Sequence, residues 1–419
     1  MPRPKNKFTP IFFMLSTSAT DSDSDLDRAV LILAGAAFAS AASFRVCDPF
    51  LPVLAASFNV GISSAARVIT AFVVAYSVFQ LVFGPLGDRV DRYHLVAYST
   101  LACTLGSIAC GLSPSYGWLV VSRALTGAFS AGIIAVGVAW ISDRVPLTQR
   151  QPMLARFISG QILGMVSGQV LGGLFVDTLG WRWAFAALAL IYLAFGGLLL
   201  RQAKIISATA PPRPAAPQGN PFFSVARDLF AVVQSPKAWP VFAAICFEGM
   251  AVFSVLAFLP LYLHTHFDIS MTKASLALMA YGAGGLVYSS NARRLISHFS
   301  VGNLALLGSG SVAMSLILLY LVPVWFFAIP VMTGAGFGMY LLHSTILTRA
   351  TAITETARGL AISLTVSIFF VGQSVGIYAA SRVVEQVGIP PIILMGSLLI
   401  TLVGIGFSIA IKSRQATAA

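Results

Sequence analysis

The chain has 419 residues, of which 57% are hydrophobic and only 10% are charged. Soluble domains carry about 25% charged residues, so this composition excludes an ordinary soluble protein and predicts a chain that crosses a membrane repeatedly. The formal net charge of +12 does not indicate nucleic-acid binding, because the basic residues fall mainly in loops on one side of the apolar runs.

The apolar runs predict transmembrane helices. Each run is continuous and near the ~20 residues that cross a bilayer, whereas the strands of a membrane barrel alternate apolar and polar residues. The predicted fold class is therefore an all-α polytopic membrane protein with twelve transmembrane helices, numbered here as spans 1 to 12. In chain order the predicted spans cover residues 29–57, 63–83, 95–112, 116–140, 152–176, 181–201, 238–264, 273–291, 302–321, 324–347, 358–381 and 389–411.

The long connection between spans 6 and 7 predicts two six-helix bundles. Within it, residues 210–217 are Pro-rich and predict a semi-rigid, solvated linker, and residues 221–234 predict an amphipathic helix on the membrane surface. The predicted units are an N-terminal tail (1–28), an N-terminal bundle (29–201), a linker (202–237), a C-terminal bundle (238–411) and a C-terminal tail (412–419).

Short sequence repeats relate the two bundles. The Phe-Leu-Pro of residues 50–52 recurs at 258–260, an offset of 208 residues. The Gly-Gln-Ile-Leu-Gly of residues 160–164 recurs as Gly-Gln-Ser-Val-Gly at 372–376, an offset of 212. Duplicated six-helix halves predict a binding site between them, near the middle of the membrane.

A charged loop separates spans 2 and 3. Residues 84–94 read Gly-Pro-Leu-Gly-Asp-Arg-Val-Asp-Arg-Tyr-His. This resembles the loop between the second and third helices of the major facilitator superfamily, Gly-x-Leu-x-Asp-Arg-x-Gly-Arg-Arg/Lys. The matching residues are Gly84, Leu86, Asp88, Arg89 and Arg92. Asp91 stands where the family usually has Gly, and Tyr93 where it usually has a base.

The resemblance implies the major facilitator fold, in which two pseudo-symmetric bundles rock around a central site. It also implies that Gly84, Asp88, Arg89 and Arg92 form a gating loop. Asp88 is expected to lie against the amino end of span 11, where the helix dipole favours an anion, with Arg92 bonded to it.

Three charged residues are predicted to lie within the first bundle's membrane region. Arg123, followed by Gly127 in span 4, resembles the family's fourth-helix pattern. An arginine in hydrocarbon costs at least ~2.5 kcal/mol and needs a partner, unless it extends to the outer interface. Asp48 in span 1 lies at a matching depth, and Arg45 shares its helix face. We expect Asp48 and Arg123 to face each other or to share a water-filled cavity with Arg45; the alternative is a structural Arg45–Asp48 pair.

Glu248 in span 7 is the other intramembrane acid. No base lies three or four residues away on its own helix, so it is a candidate proton carrier or substrate partner. The alternative is a protonated carboxyl bonded to a neighbouring helix. His343 in span 10 is interpreted as a polar packing residue, and Gln161 and Gln373 as possible polar residues of a central cavity.

Span 5 carries closely spaced glycines. Gly164, Gly168, Gly172 and Gly173 resemble the antiporter-associated pattern Gly-x-x-x-Gly-Pro-x-x-Gly-Gly, with Gln169 in place of Pro. Glycines four residues apart make a flat helix face, so they predict close packing against another helix.

No metal or cofactor site is expected. The cysteines lie inside apolar runs and are interpreted as buried thiols, and the group His264, His266 and Asp268 as a solvated loop. The cysteines are Cys47, Cys103, Cys110 and Cys246. The resemblance implies a proton gradient as the energy source.

Orientation follows from the distribution of basic residues. Twenty fall on the side of the linker, and only Arg67, Arg182, Lys273 and Arg382 on the other. The positive-inside rule therefore predicts a multi-pass inner-membrane protein with both termini in the cytoplasm.

The function implied by the resemblance is transport, preferably proton-coupled export of a small molecule by antiport. The alternative is a proton-coupled uptake permease for a small anion, which Arg45 and Arg123 favour. A membrane enzyme lacks support because no catalytic grouping is apparent, and a non-transporting sensor is a distant alternative. The expected partners are a small-molecule substrate, protons and the lipid bilayer, with no nucleic acid and a monomeric chain.

Overall fold

The fold is that of a computed structural model, which describes residues 21–209, 221–354 and 358–418. Within these ranges every regular element is a helix. The predicted Pro-rich segment and residues 1–20 of the N-terminal tail lie outside the described residues.

Twelve long helical spans follow one another, and the predicted fold class is confirmed. In the first half they are Asp21–Arg45 continued by the 3-10 turn Asp48–Phe50 and by Leu51–Phe58 (span 1), Ile62–Ala65 with Arg67–Arg89 (span 2), Arg92–Gly111 (span 3), Tyr116–Arg144 (span 4), Leu147–Asp177 (span 5) and Trp181–Thr209 (span 6). A linker helix, Pro221–Gln234, occupies the predicted amphipathic segment. The second half contains Ala238–Leu256 with Leu259–Phe267 (span 7), Met271–His298 (span 8), Val301–Leu321 (span 9), the 3-10 turn Trp325–Phe327 with Ala328–Ala350 (span 10), Arg358–Val387 (span 11) and Pro390–Ala418 (span 12).

Eleven of these spans are apolar and long enough to cross a membrane on their own composition. Span 8 is the least apolar of the twelve because its last turns carry Asn291, Arg293 and Arg294. It packs between spans 5 and 10 inside the bundle. Its neighbours therefore provide the apolar surroundings that its own sequence supplies only in part.

The helix ends follow local rules. Side chains of Asp91, Ser115, Ser270 and Ser300 accept a hydrogen bond from a backbone N–H in the first turn of spans 3, 4, 8 and 9. These N-caps satisfy donors that a helix leaves open. Several helices extend beyond the predicted apolar limits, since polar residues continue a helix outside the hydrocarbon region; span 4, for example, ends at Arg144.

The two halves repeat the same packing register. A Cβ at Gly164 would lie 2.1 Å from the Phe38 carbonyl oxygen, and one at Gly376 would lie 2.5 Å from the Met250 carbonyl oxygen. Both contacts join residues 126 apart in sequence (164 − 38 and 376 − 250). Spans 1 and 5 therefore pack as spans 7 and 11 do, at glycines that allow the backbones to touch.

The same repetition appears at the chain reversals. The described residues with positive φ are Asn59 (51°), Asp268 (50°), Gly180 (92°) and Gly388 (88°). They form two pairs, 209 and 208 residues apart, at the ends of spans 1 and 7 and of spans 5 and 11. Left-handed residues close helices at equivalent places in each half.

The repeat is broken within span 1. Phe38 and Phe50 are 12 residues apart, whereas their counterparts Met250 and Phe258 are 8 apart. The four extra residues amount to one helical turn. This enlarged segment contains Arg45 and Asp48.

The halves meet along two seams, between spans 5 and 8 and between spans 2 and 11. The linker helix contacts spans 2, 7 and 11. We call the end of the bundle that carries this helix the linker end, and the end where spans 5 and 11 finish the opposite end.

Candidate functional site

Arg45 and Asp48 form an ion pair where span 1 is interrupted. The helix ends at Arg45, and Asp48 begins the 3-10 turn that Pro49 continues. Arg45 Nη2 lies 2.9 Å from Asp48 Oδ2, and the two side chains are 6% and 0% exposed. Gln169 of span 5 donates from Nε2 to the same carboxylate oxygen at 3.5 Å. The contact that is present is therefore the local Arg45–Asp48 pair, which the sequence analysis gave as the alternative.

Arg123 is fully buried and forms no ion pair with Asp48 among the described contacts, so the direct face-to-face pair is not present; the other expected arrangement, a water-filled cavity shared with Arg45, stays a prediction. Arg123 Nη1 donates to Ser43 Oγ at 3.2 Å and its Nε to the Val68 carbonyl at 3.4 Å. Its guanidinium carbon lies 4.1 Å from the centre of the Phe72 ring, a cation–π distance. Asp48 is bonded instead to Arg45, which reaches it from the same helix segment.

Glu248 and His343 lie together in the second half. Glu248 is ten residues after the start of span 7 and is fully buried. His343 Nδ1 lies 3.1 Å from Glu248 Oε2, while Glu248 Oε1 has no hydrogen-bond partner among the described residues. The Phe369 ring packs edge-on against the imidazole at 4.9 Å.

This contact revises two interpretations. Glu248 has a titratable base beside it, supplied by span 10 and not by its own helix, and His343 is more than a packing residue. No local spacing could reveal the pair, because its members are 95 residues apart. The available signal was that both are ionisable residues inside apolar runs, where such residues pair with one another.

The two glutamines occupy different environments. Gln373 is fully buried, its backbone packs against Gly249, and neither side-chain amide atom has a partner among the described residues. Gln161 is half-buried in span 5. Gln373 thus adds an unsatisfied polar group beside the segment that carries Glu248.

A small cavity lies between the halves. Its volume is about 30 Å³, the space of roughly one water molecule. Polar and aromatic side chains line it, among them Arg45, Gln169, Phe253, Tyr281 and Tyr340. The cavity therefore joins the charged segment of span 1 to spans 5, 7, 8 and 10. Two larger cavities of about 290 and 300 Å³ are lined by spans 7, 11 and 12 without a charged residue.

The loop between spans 2 and 3 is anchored to span 4. Arg92 pairs with Asp143 and donates from Nε to the Gly87 carbonyl at 3.2 Å. Sequence reasoning missed Asp143, although its place near the end of span 4 puts it beside this loop. Gly84 and Arg89 are exposed, and the side chain of Asp88 lies outside the described residues.

Asp91 has a structural reason to replace the family's usual glycine. Its carboxylate accepts from the His94 backbone N–H at 2.9 Å and lies 2.9 Å from His94 Nδ1. The residue therefore caps span 3.

The glycines of span 5 serve two interfaces. Cβ atoms at Gly164, Gly168 and Gly172 would lie 2.1–2.3 Å from carbonyl oxygens of span 1, as expected for close helix packing. Gly173 faces another way: its Cβ would lie 2.6 Å from the Met271 carbonyl oxygen of span 8. Three glycines hold one bundle together, and the fourth allows the two halves to touch.

Comparisons with known proteins agree with this architecture. The chain is 34% identical over 169 residues to the MFS-type transporter ptmT of Penicillium ochrochloron, covering 38% of this chain and 28% of that protein. It is 26% identical over 383 residues to the uncharacterized MFS-type transporter Rv1877 of Mycobacterium tuberculosis, covering 78% of this chain and 55% of that protein. The chain therefore spans about half or less of the length of these relatives.

A solved structure shares the fold. It is a bacterial homolog of the human lysosomal transporter Spinster in an inward-facing, unoccupied conformation, with a TM-score of 0.66 and 17% identity. The superposition covers 94% of this chain and 98% of that one. Residues 33–377 match the family model that describes the Major Facilitator Superfamily. With twelve spans, repeated six-helix halves and this match over most of its length, the chain belongs to the Major Facilitator Superfamily.

Proposed function

We propose that the chain is a secondary active transporter that moves a small molecule across the inner membrane by alternating access and exports it in exchange for protons. The observation that carries the proposal is the buried Glu248–His343 pair in the second bundle. Intramembrane ionisable residues are costly, and in transporters they mark ion or substrate pathways. The names of the two relatives reported above, both MFS-type transporters, support transport as the general activity.

The Glu248–His343 pair can hold one proton on either group without leaving an isolated charge, and releasing that proton leaves Glu248 ionised beside a neutral His343. With Glu248 ionised, a protonated His343 neutralises it across 3.1 Å. With Glu248 protonated, a neutral His343 can still share a hydrogen bond with it. The side chain of His343 is 26% exposed, and we propose that a proton reaches the fully buried Glu248 through it. Glu248 is accordingly proposed as the proton carrier.

Asp48 has a different proposed role. Both of its immediate polar neighbours, Arg45 and Gln169, also line the cavity between the halves. A substrate that bonds to Arg45 would compete with Asp48 for the same guanidinium. We therefore assign Arg45 and Asp48 to substrate binding, and Arg123 to holding the first bundle's interior together near them.

Export is favoured by the glycine face of span 5, which resembles the antiporter pattern. The second candidate is proton-coupled uptake of a small anion, and Arg45 on the cavity wall favours it. The two differ in the direction of net substrate movement relative to protons, so accumulation of a labelled substrate in whole cells with and without an uncoupler separates them.

The loop residues Gly84, Asp88, Arg89 and Arg92 are proposed to gate the linker end. That end is proposed to be cytoplasmic because it carries most of the basic residues. The proposed partners are a small-molecule substrate, protons and lipid. We propose a monomeric chain that binds no nucleic acid and needs no cofactor or metal beyond the proton gradient.

The proposal is tested with purified protein in liposomes that enclose a pH-sensitive dye. Candidate compounds are screened for substrate-dependent proton movement under an imposed pH gradient. Glu248→Gln should abolish substrate-driven proton movement while retaining substrate exchange, because an amide keeps the shape and loses the titratable proton. Glu248→Asp, which keeps a carboxyl group, is the matched control and should retain coupling. Unchanged proton coupling in Glu248→Gln would show that another group carries the proton.

A further inference from the structure

At the opposite end of the bundle, the last residue of span 5 caps a helix of the other half. Asp177 Oδ1 accepts from the Met271 backbone N–H at 3.2 Å. Asp177 Oδ2 accepts from the Thr272 backbone N–H at 2.7 Å and from its hydroxyl at 2.6 Å. Three hydrogen bonds thus join the first half to the start of span 8.

These bonds complete a helix end that span 8 closes only in part. The first backbone N–H groups of a helix lack intrahelical partners, and a carboxylate is favoured there by the helix dipole. Ser270, the N-cap of span 8, accepts only from the Lys273 N–H, at 3.3 Å. Asp177 accepts from the N–H groups of the two residues between them. The cap is therefore complete only while the two halves are together.

Gly173, one turn before Asp177, makes this approach possible. A Cβ at Gly173 would lie 2.6 Å from the Met271 carbonyl oxygen and 2.6 Å from Ser275 Oγ. Any larger residue would push span 8 away from span 5 and so away from the carboxylate of Asp177. The glycine and the aspartate, four positions apart, form one contact surface against the first turns of span 8.

The second seam is closed at the same end. Ser381 Oγ of span 11 donates to Ser63 Oγ of span 2 at 3.4 Å. Glu385, one turn later, lies against Gly61, where a Cβ would be 1.9 Å from its Oε1. Both seams are thus in contact at the opposite end; among the described residues, the span 5–span 8 seam is the one where a carboxylate accepts three hydrogen bonds.

We propose that Asp177, Gly173 and the first turn of span 8 form a latch that holds the opposite end of the pathway closed and must open once in each transport cycle. This inference rests on the proposed alternating-access function, and it identifies the contact that closes the pathway on the side away from the linker. Because the bonds of Asp177 are exposed to solvent, water can replace them when the halves separate. The latch is therefore reversible, unlike the packed glycine contacts inside each bundle.

The first experiment measures opening without requiring transport. A reporter cysteine at Leu278, a buried residue of the cavity wall, is labelled in intact cells by an impermeant maleimide added from outside. Asp177→Asn should raise the labelling rate about tenfold, the size expected for losing a charge-assisted hydrogen bond. Gly173→Val should raise it too, by preventing close approach. Asp268→Asn is the matched control, since it removes an exposed carboxylate at the same end.

The second experiment locks the contact. Cysteines in place of Asp177 and Thr272 are oxidised to a disulfide in the purified protein, which should stop transport until a reductant restores it. Full transport by the cross-linked protein, or equal labelling of Asp177→Asn and Asp268→Asn, would overturn the latch. Absence of transport from the wild-type protein as well would count against the proposed function, while the labelling result would still decide whether the contact opens.

Discussion

In the first bundle, the charge of one buried arginine, Arg45, is neutralised by an acid only three residues away. Arg45 and Asp48 are three residues apart, and the interruption of span 1 turns the carboxylate towards the guanidinium. Burial of both groups means that neither can be solvated alone, so each depends on the other. Arg123 relies instead on a hydroxyl, a carbonyl and an aromatic face.

Neutralising one member of the pair should destabilise the protein far more than neutralising both. Arg45→Gln or Asp48→Asn leaves a buried charge without its partner, which costs about 3–5 kcal/mol. The double variant Arg45→Gln/Asp48→Asn should recover most of this loss. Thermal unfolding in detergent measures the effect. If the double variant is as unstable as either single variant, the instability does not come from leaving one charge of the pair unpaired.

At this scale, the sequence predicts contacts that depend on local spacing. Arg45 and Asp48 could be paired as an alternative because they share a helix face. The Glu248–His343 contact depends on how spans 7 and 10 are rotated and shifted against each other, which no spacing within either helix states. Depth alone suggested Asp48–Arg123, but depth does not distinguish between two arginines at similar levels.

Among the helices, the glycines of span 5 have the clearest structural purpose. Their missing side chains let the backbone of span 5 rest on the carbonyl groups of span 1. The repeat of this register in spans 7 and 11 indicates that it is a general requirement of each bundle. Sequence spacing predicted the flat face, but not that Gly173 would turn away from it towards the other half.

A large residue at Gly168 should therefore disrupt the first bundle. A Cβ there would lie 2.3 Å from the Ala42 carbonyl oxygen, and backbone cannot move aside as a side chain can. Gly168→Leu should destabilise the protein by more than about 3 kcal/mol. Gly197→Leu is the control, because a Cβ at Gly197 meets nothing within 4 Å, and it should change stability by less than about 0.5 kcal/mol. Equal stability of the two variants would contradict the packing.

The sequence predicts that the helices exist, but it does not predict that span 1 is interrupted. Long apolar runs dictate helices because a bilayer offers no partner for backbone groups. The interruption at Asp48–Phe50 lies inside one such run, and Pro49 and Pro52 are its only local signals. The extra turn became evident only when the register of the two halves was compared.

For the molecule as a whole, the two halves repeat the same helix packing but differ in the charged residues that they bury. Register, reversals and glycine contacts match between the halves. The charged groups do not: the enlarged segment of span 1 carries Arg45 and Asp48, while the second half carries Glu248 and His343. Substrate and proton are therefore assigned to different bundles.

Labelling of single cysteines should establish the proposed orientation. A cysteine at Ser115, exposed at the opposite end, should react with an impermeant reagent added outside intact cells. One at Lys237, exposed beside the linker helix, should react only in inside-out vesicles. Reversed labelling at both sites would place the termini outside.

With Glu248 as the proposed proton carrier, the buried charges would make the protein responsive to the membrane potential. Four buried side chains in the described part of the chain are ionisable acids or arginines: Arg45, Arg123, Asp48 and Glu248. With His343 neutral, their charges cancel when both acids are ionised, and one proton added to the Glu248–His343 pair leaves a net charge of +1 within the bilayer. Moving an elementary charge through a full membrane field is worth about 2.3 kcal/mol per 100 mV. With Glu248 as the proposed proton carrier and in the proposed orientation, an interior-negative voltage favours protonation of Glu248 from the outer side and opposes outward return of the protonated core. Under this proposal, voltage as well as proton concentration drives the cycle.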